Sequence, residues 1–238
     1  MKIYIIRHGQ TEWNKSGRLQ GQTDIALNEN GKELAVKVGY ALKEISFDRV
    51  ISSPLARAVE TAQLVLEKNG GRAGEMLRAG KKWEPNAASG IVQSRKEKVL
   101  ITDERIKEIS FGEYEGYSIP STSMFRGDDR FAVTDPGFHN FFDAPERYQP
   151  PRGGESISHL VKRTGEFLEQ LANEEGMEEE TLLISTHGAA ARALLANIKH
   201  SVLKDFWYPG VPKNCSVSIA ETVGGIWKLL EQDVIYFH

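Results

Sequence analysis

A single cysteine, Cys215, stands in 238 residues. That scarcity excludes an internal disulfide framework and any cysteine-rich metal site, and it makes a reducing cytosol the plain expectation. Long apolar runs are equally absent, since no stretch approaches the roughly 20 residues that a membrane-spanning helix needs. The four residues between Lys2 and Arg7 are too few for a secretory hydrophobic region. Positive charge is not in excess either. A net charge of −3 and a pI near 6.1 supply no broad basic field, so nucleic acid is a poor partner and any anion must be held by local cations. Internal repeats and low-complexity tracts are missing as well. What remains, 26% charged and 40% hydrophobic residues in one chain, suffices to bury the core of a single domain over residues 1–238.

Within that chain, short apolar β-branched runs alternate with stretches of three-to-four periodicity. Residues 2–7 read as a buried central strand, because they lack polar alternation. Asn28 caps a helix expected over residues 29–44, with Leu34, Ala35, Val38 and Leu42 on one face. A second strand spans residues 49–52, and Ser53 with Pro54 is expected to supply the cap and first-turn proline of a helix running to residue 68. Further elements follow at 98–102 (strand), 155–175 (helix), 181–185 (strand) and 189–198 (helix). Residues 217–221 and 226–233, joined by Gly224-Gly225, read as a hairpin. Such alternation predicts an α/β fold, a three-layer α/β/α sandwich on a mostly parallel sheet with an antiparallel edge hairpin.

Two triplets carry the chemistry. Arg7-His8-Gly9 follows the first strand and Thr186-His187-Gly188 follows a late one. If those strands are neighbours, His8 and His187 meet at the carboxyl edge of the sheet, where open α/β sheets bind ligands. Arg7 adds a planar five-donor fork suited to phosphate, and Gly188 permits the tight turn into a helix whose amino end directs further donors at the same place. Thr11, Asn14 and the run Gly17-Arg18-Leu19-Gln20-Gly21 provide amides, a hydroxyl and carboxamides for an oxyanion pocket. Arg57 falls in the first turn or so of its helix, although a surface pairing with Glu60 or Glu12 is the simpler reading of that residue alone. Glu108, Glu113 and Glu115 are candidate carboxyls. His139, His159, His200 and His238 have no partner at ligand spacing, and neither a metal nor a cofactor is implied.

In this order, over residues 1–68, 99–118 and 152–199, these motifs resemble the histidine phosphatase superfamily, the phosphoglycerate mutase-like proteins. The resemblance implies that His8 is the nucleophile attacking phosphorus, with Arg7, Arg57 and His187 around the equatorial oxygens and His187 donating as an imidazolium stabilised by the transferred group. It further implies that Glu108 protonates the leaving oxygen and then activates water, and that Thr11, Asn14, Gln20 and Gly21 make secondary phosphate contacts. Glu155, in Gly153-Gly154-Glu155-Ser156, belongs to a motif of many members, while helix capping explains it equally well. Phe111-Gly112-Glu113-Tyr114-Glu115-Gly116 and the residues after His187 look like the phosphatase branches. The expectation is therefore hydrolysis of a small phosphomonoester, with mutase-type transfer as the alternative and a catalytically silent phosphate-binding regulator as the third. Insertions at about 69–98 and 118–151 match nothing in the resemblance. The second holds Phe125, Phe131, Phe138, Phe141, Phe142 and Tyr148 among arginines, and reads either as a lid or as a hydrophobic cluster anchoring a loop. Whether the protein is a monomer or a dimer is left open.

Overall fold

The computed structural model describes residues 1–69, 100–118, 133 and 135–237. Six strands form one sheet: β1 (Lys2–Arg7), β2 (Arg49–Ser52), β3 (Leu100–Thr102), β4 (Thr181–Thr186), β5 (Val217–Val223) and β6 (Ile226–Val234), in the order β3-β2-β4-β1-β5-β6. β1, β2, β3 and β4 pair in parallel, whereas β5 lies antiparallel to β1 and β6 antiparallel to β5. The expected parallel sheet with an antiparallel edge hairpin is what forms. Gly224 and Gly225, at φ 59° and 79°, make the turn that joins the hairpin strands.

Apolar side chains leave the central strands in alternation, and each face finds its own helix layer. Ile3, Ile5, Leu182 and Ile184 pack with Phe167, Leu168 and Leu171 of α5 (Ile157–Ala172) and with Leu194, Leu195 and Ile198 of α6 (Gly188–Lys199). Tyr4, Ile6, Val50 and Leu183 pack on the other side against Ala35 and Val38 of α2 (Glu29–Ala41) and Ala62, Val65 and Leu66 of α3 (Ala56–Lys68). One-turn helices, α1 (Glu12–Lys15) and α4 (Asn140–Asp143), complete the order.

Three local expectations are revised. Ser53 and Pro54 do not start α3. The Ser53 amide still bonds to Ser185 O at 2.9 Å as an extension of the sheet, so the helix opens at Ala56, whose amide is capped from afar by Asp24 Oδ1 at 2.9 Å. α5 begins at Ile157, because the Ser156 side chain accepts from the His159 amide and leaves Glu155 outside the helix. Gly188 is not in the left-handed region, so the turn into α6 makes no demand for glycine. Within the 118–151 segment, Phe138, Phe141 and Tyr148 are buried with Phe111, Leu160 of α5 and Ala189, Ala190 and Ala193 of α6. These aromatics are packing anchors. Phe125, Arg126, Arg130 and Phe131 lie outside the described residues, as do residues 70–98.

Candidate active site

Because β1 and β4 are parallel neighbours with Arg7 paired to Thr186, the next residue of each strand leaves the sheet at the same edge. His8 and His187 accordingly meet there with ring centroids 5.1 Å apart, and the His8 amide donates to Thr186 O at 2.9 Å. The loop behind His8 is held tightly. An added Cβ on Gly9 would fall 2.9 Å from the Gly31 carbonyl carbon and closer still to its oxygen, so the start of α2 packs backbone to backbone on this turn. The Gly9 amide donates to Thr61 Oγ1 at 3.0 Å, and Asn214 Nδ2 reaches the His8 and Gly9 carbonyls at 3.0 and 3.2 Å.

The His8 ring is buried, 3% exposed. Its Nδ1 lies 2.6 Å from Gly9 O, and a carbonyl only accepts, so Nδ1 carries the proton and Nε2 presents its lone pair. Burial, with Arg57 and Arg7 nearby, pushes its pKa well below the ordinary 6.5 and keeps the ring neutral.

Arg57 is fully buried, which excludes the surface pairing with Glu60 or Glu12. Its Nε donates to His8 Nε2 at 3.3 Å, Nη1 to Thr23 O at 2.9 Å and Nη2 to Gly21 O at 2.6 Å. Burial lowers its pKa to about 10, so it stays charged at neutral pH. Gly21 thus contributes its carbonyl to the arginine. Arg7 donates from Nη1 to Pro212 O, and its buried Nε has no partner among the described residues.

Glu108, 7% exposed, rests on the amino end of α6. Its oxygens accept from the amides of Ile109 (2.9 Å), Ala189 (3.2 Å) and Ala190 (3.1 Å). Burial nonetheless outweighs those amides and Arg57, and raises its pKa above the usual carboxylate value. A Cβ at Gly188 would sit 3.6 Å from both Arg7 Nε and Glu108 Oε2, which places the guanidinium, the carboxyl and the head of α6 around one spot. The rival carboxyls are elsewhere in role. Glu115 is consumed by the amides of Phe111, Gln22 and Thr23 and by the Thr23 hydroxyl. Glu113 is exposed.

His187 is wholly buried, with Nε2 2.7 Å from Ser53 Oγ and Nδ1 unpartnered among the described residues. Burial, then Arg57 and His8, holds its pKa well below 6.5, so the ring is neutral; the expected imidazolium is a form that the transferred group would have to stabilise. Thr11 Oγ1 donates to Gln20 Oε1 at 2.5 Å and accepts from the Asn14 amide, while Asn14 Oδ1 accepts from the Thr11 amide and from Asn214. Thr11 and Asn14 therefore brace the loop, and Gln20 keeps a buried Nε2 with no partner among the described residues.

Sequence reasoning missed several supports. Arg163 grips Glu155 at 2.7 and 2.8 Å and donates to the carbonyls of Arg105 (2.6 Å) and Glu108 (3.1 Å), so Glu155 acts by anchoring the turn that carries Glu108. Asn214 and Asp24 also went unread, since no local pattern connects either to the residues it holds.

A family model described as histidine phosphatase superfamily (branch 1) matches residues 3–77 and 87–234. The chain belongs to the histidine phosphatase superfamily. A 2,3-bisphosphoglycerate-dependent phosphoglycerate mutase of Borreliella burgdorferi is 29% identical over 207 residues, covering 82% of this chain and 76% of the relative. Among solved structures, Bacillus stearothermophilus YhfR superposes with a TM-score of 0.73 at 28% identity, covering 98% of this chain and 96% of the other. A phosphoserine phosphatase variant of Entamoeba histolytica, in complex with phosphoserine, gives 0.69 at 25% identity, covering 96% and 94%. This superfamily member thus has mutase-named relatives in sequence and a phosphatase-named neighbour in structure.

Proposed function

We propose that the protein hydrolyses a small phosphomonoester through a phosphohistidine on His8. The observation that carries this reading is a neutral, buried imidazole with Nδ1 pinned on Gly9 O, beside buried donors of Arg7 and Gln20 and the buried Nδ1 of His187 that lack partners among the described residues. An unsatisfied buried donor costs about 1–3 kcal/mol, and an anion with several oxygens removes that cost for all of them.

His8 Nε2 attacks phosphorus in line, the P–O bond to the alcohol breaks, and Glu108 gives the leaving oxygen its proton. Arg57 swings its Nε–H from the His8 lone pair to a phosphoryl oxygen and with Arg7 neutralises the transferring group, to which His187 donates a hydrogen bond. Glu108, now ionised, takes a proton from water as the oxygen attacks phosphorus, the N–P bond breaks, and inorganic phosphate leaves with His8 neutral. The sequence after Phe111 and after His187, together with the phosphoserine phosphatase neighbour, supports hydrolysis. The Borreliella mutase is the reason to test transfer as well.

The test is release of phosphate from a panel of phosphomonoesters in the presence of a chelator. The expected result is release by the native chain, none by His8→Ala, and an acid-labile phosphate trapped on His8 after a rapid quench. Undiminished release by His8→Ala would overturn the reading. Interconversion of phosphoglycerates that depends on a bisphosphate primer would replace hydrolysis with transfer.

A further inference from the structure

We propose that Ser53 is a positioning residue that fixes the tautomer of His187: its hydroxyl donates to Nε2 and so keeps the ring proton on Nδ1. In the reading above, which this inference deepens, that N–H is the donor offered to the transferring phosphoryl group.

The geometry admits two arrangements across the 2.7 Å contact between Ser53 Oγ and His187 Nε2. Ser53 Oγ already accepts the Leu55 amide at 3.3 Å, and Ser53 is 0% exposed. If Nε2 carried the proton, the serine oxygen would accept twice, and its own hydrogen would have no acceptor among the described residues. Nδ1, also buried, would then present a bare lone pair toward the place where an anion is to sit. That arrangement leaves two buried polar groups unsatisfied at once. With the proton on Nδ1, the hydroxyl donates to Nε2 and accepts from Leu55, and the single group without a partner is a donor.

Ser53 cannot easily turn away from this duty. Its amide is tied to Ser185 O at 2.9 Å, its carbonyl accepts from Ser52 Oγ at 2.8 Å, and Pro54 follows. His187 is as constrained, because it is the N-cap of α6 and its carbonyl accepts the Ala191 amide at 3.0 Å. A ring at a helix amino end faces the positive end of the dipole, which disfavours a second ring proton. A neutral ring has one proton to place, and Ser53 decides where.

The tautomer is read directly by long-range proton–nitrogen correlation on the full chain labelled with ¹⁵N-histidine, without ligand. The native protein is expected to show His187 with a protonated Nδ1 and an unprotonated Nε2. Ser53→Ala is expected to lose that preference, to bind inorganic phosphate more weakly and to lower kcat roughly 10- to 100-fold. Ser53→Thr, which keeps the hydroxyl, restores both. A native His187 protonated on Nε2 overturns the proposal, as does an unchanged tautomer in a folded Ser53→Ala. The native spectrum decides even if the alanine variant fails to fold. Because that spectrum needs no turnover, the expected tautomer in a protein that never releases phosphate would sink the proposed hydrolysis alone.

Discussion

In the proposed mechanism Glu108 holds a proton when the ester bond breaks and accepts one when water attacks, and its surroundings pull in both directions. Burial raises its pKa above the usual 4.5, while the backbone amides of Ile109 and Ala189 and the charges of Arg57 and Arg7 act against the rise. His8 is pushed the other way, below 6.5, by burial and then by the two arginines. The proposed mechanism needs His8 unprotonated and Glu108 protonated. Activity therefore falls at low pH as His8 gains a proton, and falls at high pH as Glu108 loses one. The expected kcat/KM profile is a bell bounded by the lowered His8 value on the acid side and the raised Glu108 value on the basic side. Glu108→Gln should remove the basic limb and lower kcat/KM, which reports the first phosphoryl transfer, by about 10²–10⁴-fold for alkyl phosphates, whereas kcat/KM for p-nitrophenyl phosphate, whose leaving group needs no proton, should suffer far less. Equal losses of kcat/KM on both substrates would take the proton-donor role away from Glu108.

Elements reach the site by packing as much as by sequence. The turn that carries His8 lies against the start of α2, and Cβ atoms are excluded on both sides: one on Gly31 would come 2.6 Å from the Gln10 amide nitrogen and closer to its carbonyl oxygen. Gly9→Ala must push these backbones apart. It should destabilise the protein by about 1–3 kcal/mol, seen as a lower urea midpoint, and reduce kcat because His8 moves with the turn. An unchanged midpoint would mean that the two backbones are not in contact. Neither contact is visible in the chain as written, although Gly9 stands in the motif. Periodicity made the strands and helices legible, because a two-faced sheet between helices leaves an apolar rhythm at Ile3, Tyr4, Ile5 and Ile6 and again at Leu182, Leu183 and Ile184. The strand ends then brought His8 and His187 together with no further information. What stayed hidden were closures between distant segments: Asp24 capping α3, Asn214 on the carbonyls of His8 and Gly9, and Arg163 joining Glu155 to the Glu108 turn. Ser53 was misread for a related reason. A serine before a proline is a good helix cap by local rules, and here the sheet and His187 claimed it first.

For the molecule as a whole, two neutral histidines in a buried pocket couple folding to pH. In the unfolded chain both protonate near 6.5, while in the native state burial, with Arg57, keeps the proton off each. As pH falls below that value the unfolded state binds protons that the native state refuses, so stability drops, with a limiting slope of about 1.4 kcal/mol per pH unit for each histidine. Glu108 works in the opposite sense. Its native proton is retained where the unfolded carboxyl has lost it, so its contribution is present at low pH and is lost as pH rises through its raised native value. Glu155 is desolvated too, but Arg163 more than compensates and holds it below 4.5, so it matters only in stronger acid. Between pH 7 and 5.5 the histidines therefore dominate, offset in part by Glu108, and urea midpoints should decline. His8→Gln, which cannot take up the proton, should flatten that decline by the share of one group. Inorganic phosphate binds only the assembled pocket, so at about one hundred times its Kd it should add roughly 2.7 kcal/mol to the native chain and much less to Arg7→Ala. If phosphate raised both midpoints equally, it would be acting on the surface rather than at the meeting of β1 and β4.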